Sequence, residues 1–254
     1  MKAHHDQHFL IDPNAVKRIA DLEDVKNKQV LEVGPGYGVL TRALLERGAI
    51  VHAVELDGML CEQLADSFFD EINSGQLTVQ NGDATRVELP PFEMSVSNLP
   101  YSVSSKITFR LLEHGFRVAV LMYQSEFADR MVAPAGTKYC GRLSIMVQTY
   151  AAVQRCFELP PQCFTPRPQV HSTVVKIFPR DPIFFIEDRK RYADVVRGLF
   201  MHRRKTVRNC LKESAGILDP VWVKRVNAAL PEEILKSRPE ALYLEDFATI
   251  SNMP

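Results

Sequence analysis

Asn98-Leu99-Pro100-Tyr101 is the stretch of this 254-residue chain whose residue types and order could do chemistry. It follows Met94-Ser95-Val96-Ser97, which reads as the end of a buried strand, and precedes helical spacing over 104–114. A strand ending in this way presents a side-chain amide oxygen at Asn98 and a backbone carbonyl at Leu99. It adds a rigid turn at Pro100 and an aromatic face at Tyr101. Two fixed acceptors can take both hydrogens of an exocyclic amino group while the tyrosine stacks on the ring that carries it. That makes a site for a flat, amino-bearing base. The same residues also suit an ordinary strand-to-helix turn, so the choice rests on how the neighbouring strands end.

Those neighbours form a series. Gln29-Val30-Leu31-Glu32-Val33 is a short apolar run of the kind found in buried parallel strands. It leads into Gly34-Pro35-Gly36-Tyr37-Gly38 and then helical spacing over 39–47. Glycines there let the backbone approach a ligand closely. A dinucleotide fingerprint would put a further glycine three residues after Gly36, and that position is Val39. The pattern Glu-x-Gly-x-Gly-x-Gly suits a ligand lying flat across the loop. A second strand, 50–54, ends in Glu55-Leu56-Asp57. Glu55 is placed to accept both hydroxyls of a ribose, and Asp57 to cap a helix over 58–72. A third strand, 77–80, ends in Asn81-Gly82-Asp83-Ala84. Asp83 can accept from an adenine amino group while the Ala84 N–H donates to a ring nitrogen. A lone Gly-Asp is a common turn; its force here comes from being third in a row of strand ends on one rim.

Further along, 117–123 reads as a fifth strand, 126–133 as a helix and 134–142 as a polar loop. The alternation Ile145, Val147, Thr149, Ala151, Val153 predicts a long strand over 144–154, and 171–178 predicts a last strand. Between them, four prolines within 160–168 predict a stiff loop that is neither helix nor strand. Phe164 sits in it, either as the second face of an aromatic sandwich with Tyr101 or as a plain core phenylalanine. Nearer the start, Asp12-Pro13 opens a helix, with Asp12 as cap and Pro13 at the first helical position.

Composition sets bounds. With 46% apolar residues the chain can bury a core. Five scattered cysteines with no Cys-x-x-Cys pair indicate free thiols rather than zinc or redox chemistry, as expected of a cytoplasmic protein. No run approaches membrane-spanning length, and no His/Cys/Asp cluster has metal-ligand spacing. From Asp181 the pattern switches to helices, over 192–200, 205–212, 220–229 and from Leu244. Net charge changes from −3 over 1–181 to +3 over 182–254. Two domains with that boundary are expected. Residues 197–212 hold Arg197, Arg203, Arg204, Lys205, Arg208 and Lys212 with no acid among them. Such a run suits phosphate contacts, or a solvated charged face.

Taken in order, these motifs resemble the S-adenosylmethionine-dependent small-subunit ribosomal RNA adenine N6,N6-dimethyltransferases. The resemblance runs from Gln7-His8-Phe9-Leu10 through the glycine loop, Glu55, Gly82-Asp83-Ala84 and Asn98–Tyr101. It continues over Phe164-Thr165-Pro166-Arg167-Pro168, Phe200-x-x-Arg203-Arg204-Lys205 and Arg238-Pro239-Glu240. His8 and Ser102-Val103-Ser104-Ser105 are closer to the archaeal and eukaryotic branch; Lys106 stands where the family pattern has proline. The resemblance implies an α/β, Rossmann-like methyltransferase sheet (1–181) with a small C-terminal all-helical RNA-binding domain (182–254). It implies dimethylation of two adjacent adenosines in the 3′-terminal hairpin of small-subunit ribosomal RNA, within a pre-30S-type particle, by a monomer needing neither metal nor membrane. S-adenosylmethionine would meet Gln7, His8, Leu10, Gly34, Gly36, Glu55, Leu56, Asp83, Ala84 and Asn98. Asn98, Leu99 and Pro100 would present the acceptors, Tyr101 and Phe164 would hold the flipped base, and Arg203, Arg204, Lys205 and Arg208 would meet the RNA. The rival readings are a large-subunit adenine methyltransferase of the antibiotic-resistance type and a non-catalytic assembly factor.

Overall fold

Apolar runs bounded by turn residues become strands. The computed structural model describes residues 7–254. Its strands are β1 (Phe9–Leu10), β2 (Gln29–Val33), β3 (Ile50–Glu55), β4 (Leu77–Asn81), β5 (Met94–Asn98), β6 (Val118–Gln124), β7 (Ala151–Leu159), β8 (Phe164–Thr165) and β9 (Ser172–Pro179). Seven form one sheet in the order β4-β3-β2-β5-β6-β9-β7, and β1 pairs with β8. The pairings from β4 through to β6 are parallel, whereas β9 runs antiparallel to β6. Val30, Leu31, Val51, Met94 and Val118 are buried, as a sheet covered on both faces requires.

The strand order reverses between β2 and β5, and a crevice opens at such a point at the carboxyl ends. β2 pairs with β3 over its whole length, from Gln29↔Ile50 to Val33↔Val54. Its ladder with β5 holds only Val30↔Met94 and Leu31↔Ser95. Helices flank the strands as expected. Asp12 caps Pro13–Ala20 by accepting from the Asn14 and Ala15 N–H groups, and Asp57 caps Gly58–Ser67. The single helix expected over 58–72 is broken at Phe68, which leaves helical geometry and buries its ring, so Phe69–Asn73 is a separate helix.

Two features bind the glycine loop to this frame. Gly38 has φ +78°, and a Cβ there would lie 2.5 Å from the Phe68 ring and 2.8 Å from Leu64. Glu32, 2% exposed, accepts from the Thr41 hydroxyl at 2.7 Å. Burial pushes its carboxyl up to about 8 against the Thr41 hydrogen bond, and the like charge of Glu55 adds to the rise.

The chain forms two units, and their division differs from the expected boundary at 181. One unit runs to Ala128 and resumes over Ala152–Pro179; the other comprises Asp129–Ala151 and Arg180–Pro254. The strand expected over 144–154 is instead a helix, Arg142–Tyr150, before β7 begins. That helix buries Leu143, Ser144, Ile145, Val147 and Thr149, so its apolar residues lie on several sides and imitate a period of two. Ile145 joins Tyr192, Val195, Leu199, Trp222 and Phe247 in the core of the second unit. The proline-rich segment is also more regular than expected, since it contains a 3-10 turn at Pro161–Cys163 and then β8.

Gly38→Ala combines a strained backbone with overpacking against Phe68, and should cost about 1–3 kcal/mol in urea unfolding. Native Glu32 keeps a proton that the unfolded chain releases above the ordinary carboxyl value of 4.5. Its contribution to stability is therefore whole below that value, falls as pH rises toward about 8, and is gone above it. Unfolding free energies of the wild type and Glu32→Gln, compared at acid and alkaline pH, should show the wild type losing ground across this window.

Candidate active site

Four strand ends meet at the rim. β2 delivers Gly34 and Gly36, β3 delivers Glu55, β4 leads to Asp83, and β5 ends in Asn98. Glu55 is 4% exposed and its carboxylate is held at both oxygens, by the Gly36 N–H at 3.1 Å and the Asp57 N–H at 3.0 Å. Asp83 accepts from the Thr85 hydroxyl at 2.7 Å and the Thr85 N–H at 2.8 Å, both on Oδ1. These bonds hold its carboxyl below the usual range, helped by Arg86 at 3.4 Å from Oδ2. The guanidinium of Arg110 donates to the Ala84 carbonyl at 2.7 Å and also to the Val87 carbonyl, which clamps the Asp83 loop.

Asn98 is the pivot of the second half. Its Nδ2 donates to the His8 carbonyl at 3.0 Å, so the amide nitrogen is committed to the protein and the oxygen is the end left to face a ligand. The Tyr101 hydroxyl bonds the buried Ser172 hydroxyl at 2.7 Å, which fixes the ring. The His8 ring lies 5.4 Å from it, tilted by 35°, with Nδ1 2.8 Å from the Pro166 carbonyl. Gly36 (φ +58°) lies so close beneath Phe9 that a Cβ would come within 2.8 Å of that ring.

Two cavities result. The larger, about 220 Å³, is lined by Val54, Glu55, Leu56, Asp83, Ala84 and Ile107 among others. The smaller, about 120 Å³, is bordered by His8, Leu10, Gly36, Asn98, Leu99 and Tyr101 among others. Gln7, Gly34, Glu55 and Pro100 line both. Between the two, a Cβ on Gly34 would sit 3.5 Å from the Pro100 ring. The donor set of the larger cavity fits the adenosine half of S-adenosylmethionine: one carboxylate for ribose hydroxyls, another for the adenine amino group, and apolar side chains for the flat faces. The smaller presents the neutral oxygens of Asn98 and Leu99 and an aromatic ring, as an amino-bearing base requires, with Glu55 on the border that it shares with the larger.

Two expectations need correction. Phe164 is 1% exposed and packs in the core of the first unit, where the Leu10↔Phe164 pairing of β1 with β8 puts it. It offers no face to a base; the residue of β8 that reaches the smaller cavity is Thr165. The basic run is not free of acids, because acids from outside its window fold onto it. Lys205 pairs with Glu213 at 2.5 and 2.6 Å, Arg208 pairs with Glu232, and Arg203 lies 3.8 Å from Glu240. Arg204 is exposed and makes no ion pair among the described residues.

Several working residues went unread. Thr85 stands two after Asp83, a spacing that signals a local turn. Arg110 reaches its carbonyls from a helix 23 and 26 residues away, and no local pattern marks that. Among the described residues no group of His, Cys, Asp and Glu could hold a metal ion, and no helix is long and apolar enough to cross a membrane.

The profile described as Ribosomal RNA adenine dimethylase matches residues 1–241. A probable ribosomal RNA small subunit methyltransferase A of Methanospirillum hungatei is 60% identical over 252 residues, covering 99% of this chain and 98% of that protein. Its namesake in Methanococcoides burtonii is 42% identical over 249 residues, covering 98% and 91%. Of solved structures, a dimethyladenosine transferase from Plasmodium falciparum gives a TM-score of 0.78 at 28% identity, covering 96% of each chain. The 23S rRNA methyltransferase ErmE gives 0.67 at 26% identity, covering 96% of this chain and 98% of that one. Similarity of this extent takes in both units and all four strand ends: the chain belongs to the ribosomal RNA adenine dimethylase family and is an S-adenosylmethionine-dependent rRNA adenine dimethyltransferase.

Proposed function

We propose that the enzyme acts on small-subunit ribosomal RNA and dimethylates N6 of two adjacent adenosines in its 3′-terminal hairpin. Asn98 Oδ1 and the Leu99 carbonyl are the pair that grips each amino group. The observation that carries this assignment is the Asn98 Nδ2 bond to the His8 carbonyl, which turns the amide oxygen into a fixed acceptor. The names of the archaeal relatives support the small subunit as source of the RNA. The working form is a monomer acting on a pre-30S-type particle in the cytoplasm, where the free cysteines of the chain stay reduced.

An adenine amino nitrogen is a poor nucleophile because its lone pair is delocalised into the ring. Two acceptors in fixed geometry favour a pyramidal nitrogen whose lone pair points along one direction. When bound, S-adenosylmethionine supplies an electrophilic methyl group on a sulfonium. Glu55, Asp83 and the Ala84 N–H hold the donor's nucleoside half, Gln7, His8, Leu10, Gly34, Gly36 and Leu56 enclose it, and Pro100 keeps the acceptor pair beside that wall. Tyr101, anchored through Ser172, stacks on the flipped base. The Asn98 and Leu99 oxygens ease the charge that develops on nitrogen, and the proton leaves to water afterwards. Asn98 does this without a charge of its own to trap a cation. The rate comes from positioning and preorganised dipoles. Arg203, Arg204, Lys205 and Arg208 meet RNA phosphates, Arg204 with the least competition from neighbouring acids.

Asn98→Ala should lower tritiated methyl transfer to under-methylated small subunits by about 10²–10³, the scale for losing one preorganised partner of a reacting centre. Affinity for S-adenosylhomocysteine should fall by far less than the rate, since Asn98 meets the donor only at its edge and steadies the His8 arm through one hydrogen bond. Label appearing on large-subunit RNA alone would replace the substrate assignment, and subunit binding without any label would favour the assembly-factor reading. RNA binding measured across salt concentrations should separate the cations. Arg204→Ala should reduce the log–log salt slope by about one, and Arg208→Ala, whose cation is shared with Glu232, should reduce it by less.

A further inference from the structure

The methyl-donor loop and the acceptor pair hang on different strands. Gly34 follows β2 directly, and Asn98 ends β5. These strands are neighbours, yet their main-chain ladder stops at Leu31↔Ser95. Continued in register, Val33 would lie opposite Ser97. The Val33 N–H does turn toward Ser97, but it donates to the side-chain hydroxyl at 2.9 Å. Ser97 is 1% exposed, and its oxygen lies 3.5 Å from that of the fully buried Ser95. Buried hydroxyls are costly in a strand unless they are used, and this one replaces a lost rung of the ladder. It does so one residue before each half of the site.

We infer that Ser97 is a positioning residue, whose hydroxyl bridges β2 and β5 where they part and sets the distance between the Gly34 loop and the Asn98–Leu99 acceptors. The inference rests on the methyl-transfer reading given above. A hydroxyl carried on Cβ makes a longer bridge than a main-chain carbonyl, so the crevice stays open at one defined width. Without it the Val33 N–H has no partner in the core, and the two strands can settle at another separation. Methyl transfer is sensitive to that separation, since about 1 Å of misplacement can cost a factor of about 10² in rate. Residues from both sides of the crevice line each cavity, but the polar groups that grip each partner sit on one side. Glu55 ends β3 and Asp83 follows β4, while Asn98 and Leu99 stand at the end of β5, so grip depends on the separation less than transfer does.

The test compares the wild type, Ser97→Ala and Ser97→Thr in single-turnover transfer to under-methylated small subunits. Calorimetric affinity for S-adenosylhomocysteine is measured on the same preparations. Ser97→Ala is expected to lower the rate at saturation by about 10–10², with cofactor affinity and KM for the subunit within about twofold of wild type. Ser97→Thr, which keeps the hydroxyl, should recover most of the rate. Three results would overturn the inference: an alanine variant as fast as wild type, an alanine variant that loses cofactor affinity in step with rate, or a threonine variant as slow as alanine. A wild type that transfers no methyl to small-subunit RNA would instead sink the reading on which this one stands.

Discussion

Everything at the rim depends on the parting of β2 and β5 where the strand order reverses. Below Leu31 and Ser95 the two strands share a ladder and a dry core. Above that level their main-chain ladders serve different partners, with β2 held by β3 and β5 held by β6, and the Val33–Ser97 bond still joins them. The crevice is thus a property of hydrogen-bond topology rather than of any loop. What closes its edges is local: the arm at residues 7–10, tied through the β1–β8 pair and the His8 contact with Pro166, lies against both the glycine loop and the Asn98 amide.

Three carboxylates approach this crevice, and the protein treats each differently. Glu32 is withdrawn from water and given a hydroxyl, so the proton stays on it through most of the neutral range. Glu55 is supplied with two main-chain N–H groups that orient both of its oxygens. Asp83 is kept charged by Thr85 on one oxygen, with the other turned toward Arg86. Negative charge is therefore concentrated along the wall expected to carry the nucleoside of a cationic donor. At the acceptor pair itself, the oxygens of Asn98 and Leu99 are neutral.

The strand ends were legible because they come in series: each alone suits an ordinary turn, but together they line one rim. Alternate glycines, an acid closing β3, Gly-Asp after β4 and Asn-x-Pro-Tyr after β5 are short patterns, each fixed by backbone geometry. Legibility failed where distant parts of the chain decide. The helix Arg142–Tyr150 is buried on several sides, so its sequence carries no single stripe. On residue type alone Phe164 favours a core ring, and the family resemblance turns it into a stacking ring; the pairing of β8 with Leu10 puts it in the core. The cations from 203 to 208 look unopposed only because Glu213, Glu232 and Glu240 come from outside the window. Ser97 was in plain view as one of two serines in an apolar strand, but its partner is 64 residues away.

The interrupted course of the chain has a bearing on synthesis. Residues 129–151 leave the first unit before its last strands, β7, β8 and β9, have been made, and they belong with residues from Arg180 onward. Ile145 packs with Tyr192, Trp222 and Phe247. During translation this helix must therefore wait until residues 192–247 have emerged before its permanent neighbours exist. The sheet can consolidate first, with β9 closing on β6, while the second unit is the last part of the molecule to lose its exposed hydrophobic surface.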